Sequence, residues 1–78
     1  MSERLPALRA RDVIRALERA GFAISRISGS HCRLIHTTDT ARKVTVPLHG
    51  STDLKRGTLR GIIAQAGLTV AEFLALLK

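Results

Sequence analysis

Residues 22–47 read FAISRISGSHCRLIHTTDTARKVTVP. Runs of apolar and β-branched residues alternate with turn residues in this stretch, which is typical of short antiparallel strands. The three predicted strands are Phe22–Ile27, His31–His36 and Lys43–Val46. The first turn is predicted at Ser28-Gly29-Ser30 and a polar loop at 37–42, and Pro47 ends the third strand because proline cannot donate to a ladder. The stretch therefore predicts a three-stranded meander.

Successive side chains of a strand point to opposite faces of the sheet. One face is predicted to be buried and carries the apolar residues Phe22, Ile24, Cys32, Leu34, Val44 and Val46. The other face is predicted to be open and carries Ser25, His31, Arg33, Lys43 and Thr45. His36 has the opposite parity from His31, so we expect His36 at the buried edge.

Helical patterns flank the meander. Apolar residues recur at helical spacing from about Arg11 to Ala20 and from about Arg56 to Ala66. Thr69-Val70-Ala71-Glu72 matches a capping box, which predicts a last helix. The order of helix, three antiparallel strands, helix and short C-terminal helix predicts one α+β domain over residues 10–78, with its helices on the apolar face of the sheet. Residues 1–9 show no periodicity and are predicted to form a flexible N-terminal arm.

The chain is small and strongly basic. Among its 78 residues, 13 Lys and Arg stand against 6 Asp and Glu, which gives a net charge of +7. This excess serves either binding to a polyanion or an acidic protein, or solubility alone. The face of the first helix that carries Arg11, Arg15 and Arg19 is likewise either solvated or a docking surface. Two phenylalanines are the only aromatic residues besides histidine, so nucleic-acid binding would depend on phosphate contacts rather than on base stacking.

Several classes of protein are disfavoured by the sequence. A single cysteine excludes an internal disulfide framework, and no apolar run approaches the ~20 residues of a membrane span. The N-terminus lacks a signal-peptide core, so we expect a soluble cytoplasmic protein with no membrane association. His31 and Cys32 point to opposite faces, and Cys32 with His36 supplies only two ligands, so neither a metal site nor a cofactor is expected. Cys32 is expected to face the core, where a thiol is a poor nucleophile.

RNA cleavage fits the open face. The substrate supplies its own nucleophile, the ribose 2′-OH, so one general base and a few cations suffice. An imidazole, with its ordinary pKa of ~6.5, suits the base at neutral pH, and His31 is the candidate. The candidates for binding the phosphate are Ser30, Arg33, Lys43, Lys55 and Arg56. The other interpretation of His31 is an ordinary surface histidine at the start of a strand.

Several short motifs occur in a characteristic order along the chain. They are Gly21-Phe22, Arg26, Gly29-Ser30-His31, Val46-Pro47-Leu48-His49, Gly57-Thr58-Leu59-Arg60, Ile63 and Ala66-Gly67-Leu68. From about Arg11 to the C-terminus, this pattern resembles the HicA (YcfA-type) toxin family. The resemblance implies a fold like the double-stranded-RNA-binding domain. It also implies the toxin of a type II toxin–antitoxin system, an mRNA-cleaving endoribonuclease inhibited by a HicB-type antitoxin.

The resemblance also implies a role for one histidine and makes another a candidate. The family's catalytic histidine is the one in Gly-Ser-His, which is His31. Family members often carry a second histidine directly after it, where this chain has Cys32. The Val-Pro-x-His segment makes His49 a second candidate, as proton donor to the leaving 5′-oxygen or as an RNA-binding phosphate anchor; the other interpretation is a plain loop histidine.

Two other functions stay open from the sequence. A non-catalytic double-stranded-RNA-binding module would use Lys55 and Arg56 as a phosphate clamp and leave His31 without a role. A protein-interaction role would reserve the basic face for an acidic partner.

Overall fold

Three helices and one three-stranded sheet make up the residues that the computed structural model describes, which are 4–48, 50 and 52–77. In chain order the elements are α1 (Ala10–Arg19), β1 (Phe22–Ser28), β2 (His31–His36), β3 (Lys43–Pro47), α2 (Arg56–Gln65) and α3 (Val70–Ala75). The order confirms the predicted α+β fold, and each observed boundary lies within about a residue of its predicted position.

The sheet has the strand order β1-β2-β3, and both strand pairs are antiparallel. Residues paired across strands share a face. On the face towards the helices, the rows are Phe22–His36, Ile24–Leu34–Val44 and Ile27–Cys32–Val46. On the open face, the rows are Ser28–His31–Pro47, Arg26–Arg33–Thr45 and Ala23–Ile35–Lys43. The register confirms the faces predicted for β2 and β3.

The core lies between the helices and one face of the sheet. Its buried side chains include Cys32, Leu34, Val44 and Val46 from the sheet and Val13, Leu17, Leu59, Ile63 and Phe73 from the helices. Leu5 is also part of this core, with 2% of its surface exposed. The amide of Leu54 donates to the carbonyl of Leu8 at 2.8 Å. The described part of the predicted N-terminal arm therefore packs on the domain, although it forms no helix or strand.

Ile24 was expected in the core, and that expectation is wrong. Ile24 has the predicted face, opposite Leu34, but 45% of it is exposed, and Ile27 is 60% exposed. α1 contacts both β1 and β3, whereas α2 contacts β3, so the helices cover the β3 side of the sheet more fully than the far end of β1. Strand β1 is an edge strand, and only Phe22 at its start is buried. Alternation predicted which way Ile24 points, but it could not predict how far the helices extend.

His36 joins the sheet to the end of α1. Its Nε2 lies 3.1 Å from the carbonyl oxygen of Ala20, and a carbonyl only accepts, so Nε2 carries the proton. Nδ1 then accepts from the amides of Thr38 at 3.3 Å and Asp39 at 3.1 Å. The ring also meets Phe22 edge-on, with centroids 5.0 Å apart. This confirms His36 at the buried edge and gives it a structural role.

Arg42 makes a second connection at the same corner. Its Nε donates to the carbonyl of Ala66 at 2.9 Å, which satisfies an orphan acceptor at the end of α2. The guanidinium carbon lies 5.3 Å from the centre of the Phe22 ring, within cation–π range. Sequence reasoning placed Arg42 only in a polar loop, because the loop gives no sign of which helix end it will reach.

The predicted capping box begins α3. The amide of Glu72 donates to Oγ1 of Thr69 at 3.1 Å, and the amide of Thr69 donates to Oε1 of Glu72 at 2.8 Å. The hydrogen bond from the Thr69 amide, followed by that from the Thr69 side chain, holds the pKa of the Glu72 carboxyl below its ordinary value. None of the helices in the described ranges is long and apolar enough to span a bilayer.

Candidate functional site

A two-residue hairpin sets the position of His31. Ser28 pairs with His31, so Gly29 and Ser30 alone form the turn. Gly29 has φ +57°, and Ser30 does not have a positive φ, which matches a type II′ turn with glycine at its first position. A Cβ on Gly29 would meet nothing within 4 Å, so glycine is needed there for its conformation and not for space.

Ser30 lies exposed beside the histidine and holds the chain that leaves β3. The carbonyl of Ser30 accepts from the amide of Leu48 at 2.6 Å. His31 is exposed on the middle strand, between Ser28 on one side and Pro47 on the other. Within residues 4–48, 50 and 52–77, no group hydrogen-bonds the His31 ring. In contrast to the imidazole of His36, that of His31 makes no hydrogen bond to the described residues that would stabilise the fold.

The cations nearest to His31 in the sheet are two arginines in the next row. Arg26 and Arg33 face each other across β1 and β2, and Thr45 completes the row. This row lies two residues along β2 from His31, a separation of about 7 Å. Sequence analysis selected Arg33 as an RNA-binding candidate and left Arg26 out.

A β-bulge brings Arg26 into this row. Strict alternation from Phe22 and Ile24 would turn Arg26 towards the helices. The register shifts between Ile24 and Arg26, so that Arg26 comes opposite Arg33 on the open face. The available signal was an arginine at a position that alternation would bury, since a charged side chain is expensive to bury unpaired.

Lys43 lies on the open face, as predicted, but not beside His31. It pairs with Ile35, four residues along β2 from His31, which is about 13 Å. Lys43 therefore belongs to the far end of the face, and Arg26 takes the place nearer His31.

Lys55 and Arg56 lie at the start of α2, where both are exposed. Lys55 lines a groove of about 340 Å³ together with Thr52, Asp53, Leu54 and Thr58. No hydrogen bond or ion pair joins these two cations to the open face in the described part of the chain. The remaining candidate, His49, lies outside the described residues.

The open face carries arginine and lysine side chains but no acidic residue. None of the three strands contains an aspartate or glutamate, and the acidic residues that the structure describes belong to helices and loops. Anionic substrates would therefore meet arginine and lysine without competing carboxylates. Among residues with defined positions, no three His, Cys, Asp or Glu side chains come close enough to hold a metal ion.

Cys32 lies beneath this face, on the side of the helices, and is fully buried. Burial raises the pKa of its thiol, and the carboxylate of Glu18 raises it further. The thiol therefore stays protonated near neutral pH, which agrees with its predicted lack of nucleophilic character.

Comparison of the sequence with models of known protein families identifies a match to one family. Residues 10–68 match the family model described as the HicA toxin of bacterial toxin–antitoxin systems. The match runs from the start of α1 past the end of α2 and includes the hairpin with His31 and all three rows of the open face. A search of curated proteins found no significant match.

Proposed function

The chain belongs to the HicA toxin family of bacterial toxin–antitoxin systems, and we propose that it acts as an endoribonuclease on mRNA, with His31 as the general base. The observation that supports this activity best is an exposed imidazole, free of structural hydrogen bonds to the described residues, one row from two arginines on a face without carboxylates.

The reaction needs one base from the protein. His31 takes the proton of the ribose 2′-OH, and the 2′-oxygen attacks the adjacent phosphorus. The bond to the 5′-oxygen breaks, which leaves a 2′,3′-cyclic phosphate on one fragment and, after protonation, a 5′-hydroxyl on the other. Arg26 and Arg33 stabilise the negative charge near the reacting phosphate, and guanidinium groups keep their protons throughout. His49 is the sequence-based candidate for protonating the 5′-oxygen.

This mechanism uses neither a protein nucleophile nor a metal. The substrate provides the attacking oxygen, so the burial of Cys32 is no obstacle. Chelation with EDTA is therefore expected to leave cleavage unchanged, whereas strong inhibition by EDTA would replace this mechanism with a metal-dependent one.

We propose further that the antitoxin implied by the family is a HicB-type protein with an acidic surface that covers the open face. The toxin has a net charge of +7, and the acid-free face carries Arg26 and Arg33 in the row next to His31 and Lys43 at its far end. Charge complementarity of this kind speeds association and selects the partner. The same cations would then bind either RNA or antitoxin, so that inhibition follows from competition for one surface.

The test compares the wild-type chain with His31→Ala. Removing a general base is expected to lower the rate of RNA cleavage by about 10²–10⁴-fold and to abolish growth arrest on expression. The unfolding temperature should not change, because the His31 ring is exposed and makes no described hydrogen bond. A folded His31→Ala protein that still cleaves RNA would refute the assignment. Binding of structured RNA by a wild-type protein that never cleaves would favour the non-catalytic module instead.

A further inference from the structure

Two arginines face each other on the open face without a partner of opposite charge. Arg26 and Arg33 are a register pair, with Cα atoms about 5 Å apart. Like charges placed directly opposite in a sheet are destabilising. None of the described acidic residues pairs with either guanidinium, and both side chains are exposed. Nothing within the described domain therefore compensates the repulsion between the two arginines.

The fold departs from regular geometry to make this pair. The bulge between Ile24 and Arg26 interrupts the β1–β2 ladder, and without it Arg26 would turn to the helix side. Bulges are common where a strand re-aims a side chain towards a functional site. The interrupted ladder and the repulsion between two like charges are both unfavourable. Both occur at the row of Arg26 and Arg33, next to the row of His31. Both costs are explained if an anion binds between the two guanidinium groups.

We propose that Arg26 and Arg33 together bind one phosphate of the substrate strand, the neighbour of the phosphate at which His31 acts. The proposal rests on the proposed function for the identity of the substrate as RNA, but not on the role of His31 as a base. Two planar guanidinium groups offer forked N–H donors that match phosphate oxygens. The two rows are about 7 Å apart along β2, comparable to the distance between neighbouring phosphates of a single strand.

The two arginines act as one site in this arrangement, because they share a single phosphate. Loss of either guanidinium leaves the other unable to bind it well, so the effects of the two substitutions are not additive. Each neutralised phosphate of a single strand contributes about 0.7 to the slope of log affinity against log salt concentration. Removal of both arginines should therefore reduce that slope by about 0.7, and not by about twice that amount.

The experiment measures binding to a fluorescein-labelled 2′-O-methyl RNA of about 12 nucleotides and mixed sequence. This probe keeps every phosphate but has no free 2′-OH, so the proposed cleavage cannot occur and binding is measured independently of His31. The full-length chain is compared with Arg26→Gln, Arg33→Gln and the double variant, by fluorescence anisotropy between about 50 and 200 mM salt. Arg4→Gln is the matched control, since Arg4 is an exposed arginine before α1 and outside the sheet.

We expect each single variant to lose about tenfold in affinity, as for one charge-assisted hydrogen-bonding group, and the double variant to lose little more. Arg26→Lys, which keeps the charge but not the fork, should fall between wild type and Arg26→Gln. Arg4→Gln should bind like wild type. The unfolding temperature at low salt should stay unchanged or rise in Arg26→Gln, because one of two repelling charges is gone.

Two results would overturn the shared site. In one, the double variant loses the product of the single effects and the slope falls by about 1.4, as for two separate phosphates. In the other, the variants bind with the affinity and slope of wild type. A wild-type chain that fails to bind the probe contradicts the proposed function itself. A wild-type chain that binds the probe and cleaves RNA, with independent arginines, contradicts only this inference.

Discussion

His36→Ala separates the structural histidine from the proposed catalytic one, His31. His36 donates through Nε2 to Ala20 and accepts through Nδ1 from two loop amides. It lies on the helix side of β2, five residues and about 16 Å from His31. We expect the alanine variant to lose stability but to keep its specific activity per folded molecule. His31→Ala should do the reverse.

The magnitude follows from the contacts that disappear. The half-buried Nε2–H···O bond contributes about 1 kcal/mol, and the edge-on contact with Phe22 about 0.5–1.5 kcal/mol. The loop amides are exposed and turn to water, so they add little. The sum is about 1.5–2.5 kcal/mol, from a total of about 4–12 kcal/mol for a domain of this size. For such a domain, this corresponds to a fall in Tm of about 6–20 °C.

Thermal unfolding is followed by far-UV circular dichroism, since the chain has no tryptophan or tyrosine for fluorescence. RNA cleavage is assayed well below the Tm of the variant and divided by the folded fraction. Thr37→Val is the matched control at the same corner, because it removes one exposed hydrogen bond to Gly21 and should cost less than about 1 kcal/mol. A His36→Ala protein with wild-type Tm and lost cleavage would refute the structural assignment and bring His36 into the catalytic site.

Three further predictions concern stability. Arg42→Met should cost about 2–3 kcal/mol in urea unfolding, because a charged hydrogen bond to the end of α2 and a cation–π contact disappear; an unchanged urea midpoint would contradict this. Hydrogen bonds from Thr69 lower the pKa of Glu72 in the folded chain. The ionised carboxylate therefore stabilises the fold fully above the pKa of an ordinary carboxyl group, and this contribution disappears as the pH falls through the pKa of Glu72 in the folded chain. The stability difference between wild type and Glu72→Gln should therefore shrink on acidification below about pH 4.5, and a difference independent of pH would contradict the linkage. Leu34→Ala should lower the free energy of unfolding by about 2–5 kcal/mol, because Leu34 is fully buried. Ile27→Ala, on the exposed edge strand, should lower it by less than half as much. Equal losses would contradict the exposure of Ile27.

The alternation of residues predicted most of the fold. In β2, His31 and Arg33 alternate with the apolar Cys32 and Leu34, so the face of His31 follows once the strand is assigned. Glycine at a hairpin turn and the Thr69–Glu72 capping box are likewise local signals, and both were confirmed. These features depend on a few neighbouring residues and on well-defined backbone geometry.

The features that sequence could not predict depend on contacts distant along the chain. The exposure of Ile24 depends on how far the helical layer reaches across the sheet. The partnership of Arg42 with Ala66 joins residues 24 positions apart, and no local pattern specifies it. The bulge that turns Arg26 to the open face breaks the very alternation on which the prediction relied. The sequence therefore predicted the face on which His31 lies and the position of Arg33 on it, but not Arg26 beside them.

The sheet also shows on which face the departure from the family pattern at Cys32 lies, relative to the proposed catalytic residue His31. Family members often carry a histidine directly after the one in Gly-Ser-His, and this chain has a cysteine there. Position 32 pairs with Ile27 and Val46 on the helix side and is fully buried. Adjacent residues of a strand point to opposite faces, so a side chain at this position cannot reach a phosphate held beside His31 while the register persists. The exchange of histidine for cysteine therefore changes the packing under the candidate site, where a small apolar thiol fits, and leaves His31 and the two arginines of the open face unchanged.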